Sequence, residues 1–258
     1  MGQQCCSANS EQYERDATNG SNIENGKYEE LLREDINNEK FIIQLKFNES
    51  NNIKVLKPEL KLDVIHLAFI GSILTASEQY IDKGNIMPFI YNTMIQTAGQ
   101  GEGNKIWAGV IFGNLYTLTG IPLSLINEEF KDKDEQIILK ITTISIIQNL
   151  NKLIKNEFFL NNSNDIICKD KCRLGGIFAQ KYKDFYIIGI GINIVDKPKQ
   201  EEENTEEISP CCIKVHLKED MDPPNPLNLS IEITKNILYN LNLTTGQIDI
   251  LFTRYLIK

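Results

Sequence analysis

The chain has 258 residues, 41% of them hydrophobic, enough for one sizeable core or at most two small ones. Its net charge of −8 excludes a broad nucleic-acid surface, because neutralising a phosphate backbone takes clustered Lys and Arg. The longest apolar runs are about half of the ~20 residues that span a bilayer, and no secretory apolar segment follows Met1, so no transmembrane helix is expected.

Residues 1–27 are polar almost throughout and cannot offset the entropy of ordering, which predicts a mobile tail ahead of a domain at 28–258. Gly2 behind Met1 occupies the N-myristoylation position, and Cys5 and Cys6 are placed for palmitoylation. Two acyl signals hold a membrane stably where one is marginal, so the tail reads either as an anchor or as an unmodified segment. Four of the six cysteines lie in adjacent pairs (Cys5–Cys6 and Cys211–Cys212), a poor disulfide framework that fits a reducing cytosol.

After the tail, KFIIQLKF (40–47) and DVIHLAFIG (63–71) have strand-like content, and SILTASEQYIDKG (72–84) has helical spacing ending at Gly84. FIYNTMIQ (89–96) reads as a buried strand leading into a glycine loop, QTAGQGEGNKIW (96–107), and GNLYTLTGI (113–121) as another strand. The segment 135–155 is the longest periodic one and predicts a central helix despite its β-branched residues. DFYIIGIGINIV (184–195) predicts a fully buried strand whose glycines admit a close neighbour. The acidic run 201–207 reads as a solvated loop, and 228–242 and 245–258 read as helices. The sum is an α+β domain, with a mixed sheet from about residue 40 and helices on one face.

Cys168 and Cys172 stand at a ligand-like spacing. The only histidines, His66 and His216, are both distant in sequence, so no metal is expected. His66 lies within an apolar strand and reads as a satisfied core or edge residue.

Four pieces in order carry a resemblance. They are QTAGQGEGNKIW with the following GNLY, NNSNDI (161–166), CRLGGIFAQ (172–180) and GIGINI (189–194). Each alone is weak. In register they resemble the QxAGRGRxGRxW, KWPNDI, KLGGILVE and GIGIN motifs of the biotin protein ligase catalytic domain, within the biotin/lipoate ligase group, over residues 60–258. The resemblance implies a two-step reaction: biotin attacks the α-phosphate of ATP, and the mixed anhydride acylates a lysine of a carrier protein. Positioning and phosphate-charge stabilisation would carry the catalysis.

On that resemblance the backbone determinants are kept. Gly99 and Gly101 match the loop glycines, Gln96 a polar contact to biotin, and Trp107 an aromatic wall. Asn164 and Asp165 match the ND pair, Gly175 and Gly176 the LGGI turn, and Gly189, Gly191 and Asn193 the GIGIN strand. Ser72 matches the first residue of a Ser-Thr pair near biotin, with Ile73 in place of the Thr.

The cationic determinants are mostly lost. Gln100 and Glu102 replace the loop arginines, Asn161 replaces the lysine of KWPND, and only Lys105 and Arg173 remain as positive charges. Losing those cations while placing Glu102 beside phosphates removes on the order of 8 kcal/mol of transition-state stabilisation. That is about a millionfold in rate. The leading expectation is a pseudoenzyme, acting as a structural or interaction module with protein partners in a larger assembly. It would be cytoplasmic, or membrane-anchored if acylated. One alternative is a divergent ligase in which Arg173 and Lys105 do the charge work with ATP, Mg and biotin. The other is a binder that holds biotin without activating it. The glycines of GIGINI could also serve close packing with no ligand.

Overall fold

The computed structural model describes residues 38–47, 57–100, 106–107, 111–131, 135–154, 158–160, 164–168, 170–198 and 208–255, with backbone only at 106–107, 131 and 158–160. The expected tail, the loop residues 101–105, residues 161–163 and the acidic run 201–207 lie outside these. Glu39–Lys258 forms one compact unit.

The strands are β1 (Glu39–Lys46), β2 (Glu59–Ile70), β3 (Phe89–Gln96), β4 (Gly99–Gln100), β5 (Ile106–Trp107), β6 (Leu115–Pro122), β7 (Phe158–Leu160), β8 (Asp165–Cys168), β9 (Arg173–Tyr182) and β10 (Phe185–Ile192). The helices are α1 (Ile73–Asp82), α2 (Glu128–Lys131), α3 (Glu135–Leu153), α4 (Pro226–Asn240) and α5 (Thr245–Thr253). Eight strands make one mixed sheet in the order β1-β2-β3-β6-β10-β9-β8-β7, while β4 and β5 pair as a separate ribbon. Only β2 and β3 run parallel in the main sheet, and α1 is the crossover that a parallel pair requires.

Strand β10 shows how the layers are divided. All eight of its residues are buried. Tyr186, Ile188, Ile190 and Ile192 enter the main core with α3, α4 and α5. Phe185 and Ile187 enter a smaller core with Ile73, Tyr80 and Ile81 of α1. The period-two alternation of a strand therefore feeds two faces, and each fully buried Ile contributes about 1.5–3 kcal/mol. The expectation of helices on one face is corrected here: α1 covers the opposite face from α3, α4 and α5. Among the described residues no helix is long and apolar enough to cross a membrane.

The long helix α3 tolerates its β-branched and hydroxyl residues because the hydroxyls are satisfied within it. Thr142, Thr143 and Ser145 each donate to the carbonyl four residues back, at 2.8 Å. Helix α4 starts at an Asn225 cap followed by Pro226, and α5 at a Thr244–Gln247 capping box. Beneath α1, the Tyr80 hydroxyl donates to Asp63 at 2.5 Å and accepts from Lys40 at 3.0 Å. Burial, then the hydrogen bond to Asp63, pushes the Tyr80 hydroxyl well above the usual phenol range, as suits a neutral donor tying α1 to β2.

His66 lies in β2 as expected, and its Nδ1 is buried with no hydrogen-bond partner among the described residues.

Candidate functional site

On the α1 face of the sheet, β10 changes from bulky to bare. Phe185 and Ile187 give way to Gly189 and Gly191, and a cavity lies there beside the N-terminus of α1. Its enclosed part is about 20 Å³, room for about one water, at the bottom of a shallow depression that takes in about 310 Å³ with the open solvent at its mouth. Gln96, Gln100, Tyr116, Phe178, Gly189 and Gly191 are among its walls, and no Lys or Arg is among the described residues that line it.

Several residues singled out in the sequence meet here. Gln96 ends β3 and is buried, its Oε1 accepting the Ile73 N–H at 3.1 Å, so it caps the first turn of α1. Ser72 is the N-cap residue of α1 but makes no capping bond, and its buried hydroxyl has no partner among the described residues. Gly99 and Gln100 form β4, in register with Trp107 and Ile106 of β5. Gly101, Glu102, Lys105 and Asn161 lie outside the described residues, as do Gly2, Cys5 and Cys6, and Trp107 is described by its backbone alone.

Gly175 and Gly176 do not form a turn, which corrects the expectation for them. They lie inside β9, opposite Ile192 and Gly191 of β10. A Cβ on Gly175 would collide with the Gly191 carbonyl, which explains the glycine there. Gly189 has a similar explanation: the Phe178 ring from β9 lies where its Cβ would be. Phe178, within CRLGGIFAQ, packs on Gly189 while lining the cavity, a role that its place in the motif does not signal.

Other candidates stand apart from the cavity walls. Asn164 adopts a left-handed φ of 59° and its carbonyl accepts the Ile177 N–H at 2.9 Å. Asp165 lies opposite Gly176 and is 3.7 Å from the Arg173 guanidinium. Arg173 begins β9, and its backbone is bracketed by Ser209 and Cys211 at 2.9 Å each. Asn193 donates from Nδ2 to the Cys211 carbonyl at 3.0 Å, and its own carbonyl accepts the Ile213 N–H at 2.8 Å. It thereby fastens the segment after the acidic run to the end of β10. Asn114, which the sequence reading did not select, is 1% exposed. Its Oδ1 accepts the Ile194 and Val195 N–H groups at 2.8 and 3.0 Å.

The fold also gathers Cys168, Cys172, Cys211 and His216 into one cluster. Sequence distance had set His216 aside as a companion of Cys168 and Cys172. The hairpin of β8 and β9 and the segment after β10 bring it there.

No family model matches the chain. Among solved structures, biotin protein ligase from Leishmania major in complex with biotin is similar at a TM-score of 0.64 and 20% identity, covering 76% of this chain and 81% of that one. The same organism's enzyme with biotinyl-5-AMP is similar at 0.63 and 22% identity, covering 75% and 81%. The Helicobacter pylori biotin acetyl coenzyme A carboxylase synthetase with bound biotinylated ATP is similar at 0.51 and 19% identity, covering 74% and 82%. At these identities the likeness shows the fold: the described α+β unit has the architecture of biotin protein ligases.

Proposed function

We propose that this biotin-protein-ligase fold is a pseudoenzyme, a domain with a degraded ATP and biotin site that acts as a structural or interaction module in a larger protein assembly. The observation that carries the reading is the absence of Lys and Arg among the described residues lining the cavity. Acyl-adenylate formation concentrates phosphate charge, and stabilising it takes fixed cations aimed at the site. In sequence, Gln100 and Glu102 occupy the loop positions where the resembled motif has arginines. Arg173, one of the two cations assigned to a surviving activity, faces Asp165, which offsets its charge.

On this reading protein partners, rather than the lysine of a carrier protein, are what the domain meets. Acylation at Gly2, Cys5 or Cys6 would tether it to a membrane from the cytoplasmic side. A divergent ligase would instead rely on Lys105 and Arg173, with ATP and Mg.

A second reading, a biotin binder without catalysis, is favoured by two observations. The cavity lies over the bare stretch of β10, and the hydroxyl of Ser72, next in sequence to its wall residue Ile73, is buried with no hydrogen-bond partner among the described residues.

Incubation with ATP, Mg and labelled biotin, with and without a biotin-carrier protein, separates the readings when combined with calorimetric titration of biotin, ATP and a non-hydrolysable biotinyl-adenylate mimic. The pseudoenzyme yields no labelled protein and no heat from ATP. Biotin heat alone identifies the binder, and a labelled product overturns both.

A further inference from the structure

The sulfurs of Cys168, Cys172 and Cys211 and Nε2 of His216 all lie within 4.8 Å of one another. Cys168 ends β8, and Cys172 closes the turn before β9. That turn is tight: Lys171 is left-handed at φ 58°, its N–H donates to the Cys168 carbonyl, and the Cys168 N–H donates to the Cys172 carbonyl, both at 2.9 Å. Cys211 is placed by the Arg173 carbonyl and by Asn193. His216 ends the 3-10 turn Ile213–His216, whose first two N–H groups are held by the carbonyls of Asn193 and Ile194 at 2.8 and 2.9 Å.

The spacing suits one ion. A tetrahedral zinc with Zn–S of about 2.3 Å and Zn–N of about 2.0–2.1 Å sets its ligand atoms roughly 3.5–3.8 Å apart. Cys168 Sγ is 3.9 Å from both Cys211 Sγ and His216 Nε2, and Cys172 Sγ is 3.8 Å from that nitrogen. The Cys172 sulfur is drawn closer to its neighbours, 2.8 Å from Cys168 Sγ and bonded to Cys211 Sγ as a disulfide. A disulfide accounts for two of the four groups and leaves a third thiol and an imidazole turned toward it. A metal accounts for all four.

The surroundings agree. His216 turns Nδ1 toward the Asp170 carboxylate, 3.7 Å away, and Nε2 toward the sulfurs, the orientation a metal-bound imidazole with an outer carboxylate takes. Cys168 and Cys211 are buried, Cys172 is half-buried and the His216 side chain is 10% exposed. Four protein ligands fill the coordination sphere and leave no open position, which is the signature of a structural rather than a catalytic site.

We propose that Cys168, Cys172, Cys211 and His216 form a structural zinc site that clasps the segment after the acidic run to the hairpin of β8 and β9. A thiol reductant supplies two electrons and two protons to open the Cys172–Cys211 bond and is itself oxidised to a disulfide; Zn²⁺ then displaces the protons of the three thiols and takes the Nε2 lone pair, leaving a centre with one net negative charge. The full chain, purified with a thiol reductant and no chelator, is expected to carry about one zinc per molecule by elemental analysis. Replacing zinc with Co²⁺ is expected to give the visible spectrum of a tetrahedral, thiolate-rich centre.

Cys168→Ser and His216→Asn lose the metal. Asp170→Asn, which leaves all four ligands in place, weakens it roughly 10–100-fold in a competition with a chromogenic chelator. Cys212→Ser keeps full metal content, since the Cys212 thiol faces the Val195 carbonyl at 3.7 Å instead. The proposal is overturned if the chain purifies without metal and mass spectrometry finds Cys172 joined to Cys211. Unchanged zinc content in the Cys168 and His216 variants overturns it equally.

Discussion

Gly189 separates a ligand-shaped position from a packing-shaped one. Its backbone lies at the cavity floor, yet the Phe178 ring already occupies the direction a side chain would take. Gly189→Ala is therefore expected to destabilise the fold by about 1–3 kcal/mol through overpacking. Phe178→Leu should absorb much of that cost, so the double variant measures less than the sum of the singles in urea unfolding. Additive losses would show that the ring yields freely and that another neighbour demands the glycine. Gln96 teaches a related lesson. A polar residue expected to touch a ligand spends its carbonyl oxygen on the α1 backbone, so its presence alone does not imply an occupied site.

At the scale of elements, α1 and the turn between β9 and β10 are joined at the surface by Asp82, Tyr182 and Lys183. The hydrogen bond from Lys183 holds the Asp82 carboxyl below its usual value, and the same bond raises Lys183. A lowered carboxyl contributes stability above its unfolded value near 3.9, and that contribution is lost as pH falls through the folded value. A raised lysine contributes below about 10.4 and fades as pH rises through its folded value. Asp82→Asn should thus lower the urea midpoint at neutral pH, with the gap to the parent closing below about pH 4. A gap that persists in acid would mean the contact acts through shape rather than charge.

Elements like these were unevenly legible. Strand β3 matched its segment residue for residue, because Pro88 precedes it and the small residues Thr97, Ala98 and Gly99 follow it. Strand β2 begins four residues earlier than expected: Glu59 and Lys61 are exposed and Leu60 and Leu62 turn inward, an alternation of only two apolar residues where β2 pairs with β1 alone. Strand β9 went unread because its adjacent glycines suggest a turn, whereas at Gly175 a crowding backbone neighbour requires the glycine. The side on which α1 packs is a property of the crossover and leaves no mark in residue spacing. The Cys–His cluster was hidden for a similar reason: Cys172 and Cys211 are 39 residues apart, and only the fold brings them together.

For the whole molecule, one core runs from Leu45 to Ile248, with residues of α3, α4 and α5 interleaved between strands. Chain order is therefore a poor guide to which parts depend on each other. The stems around the acidic run show this. On one side Asn114 holds the Ile194 and Val195 amides, and on the other Asn193 and Arg173 hold Ile213 and Cys211. Because both stems are anchored outside it, the span 199–207 is a natural port for inserted sequence. Doubling the length of a connection between fixed ends costs only about 0.6 kcal/mol of closure entropy. A glycine-serine insert of about nine residues there should lower the melting temperature by no more than roughly 2 °C. A reporter or affinity handle placed at this port would ride on the domain without entering its fold, and a large drop in melting temperature would instead reveal that the span itself helps hold the stems together.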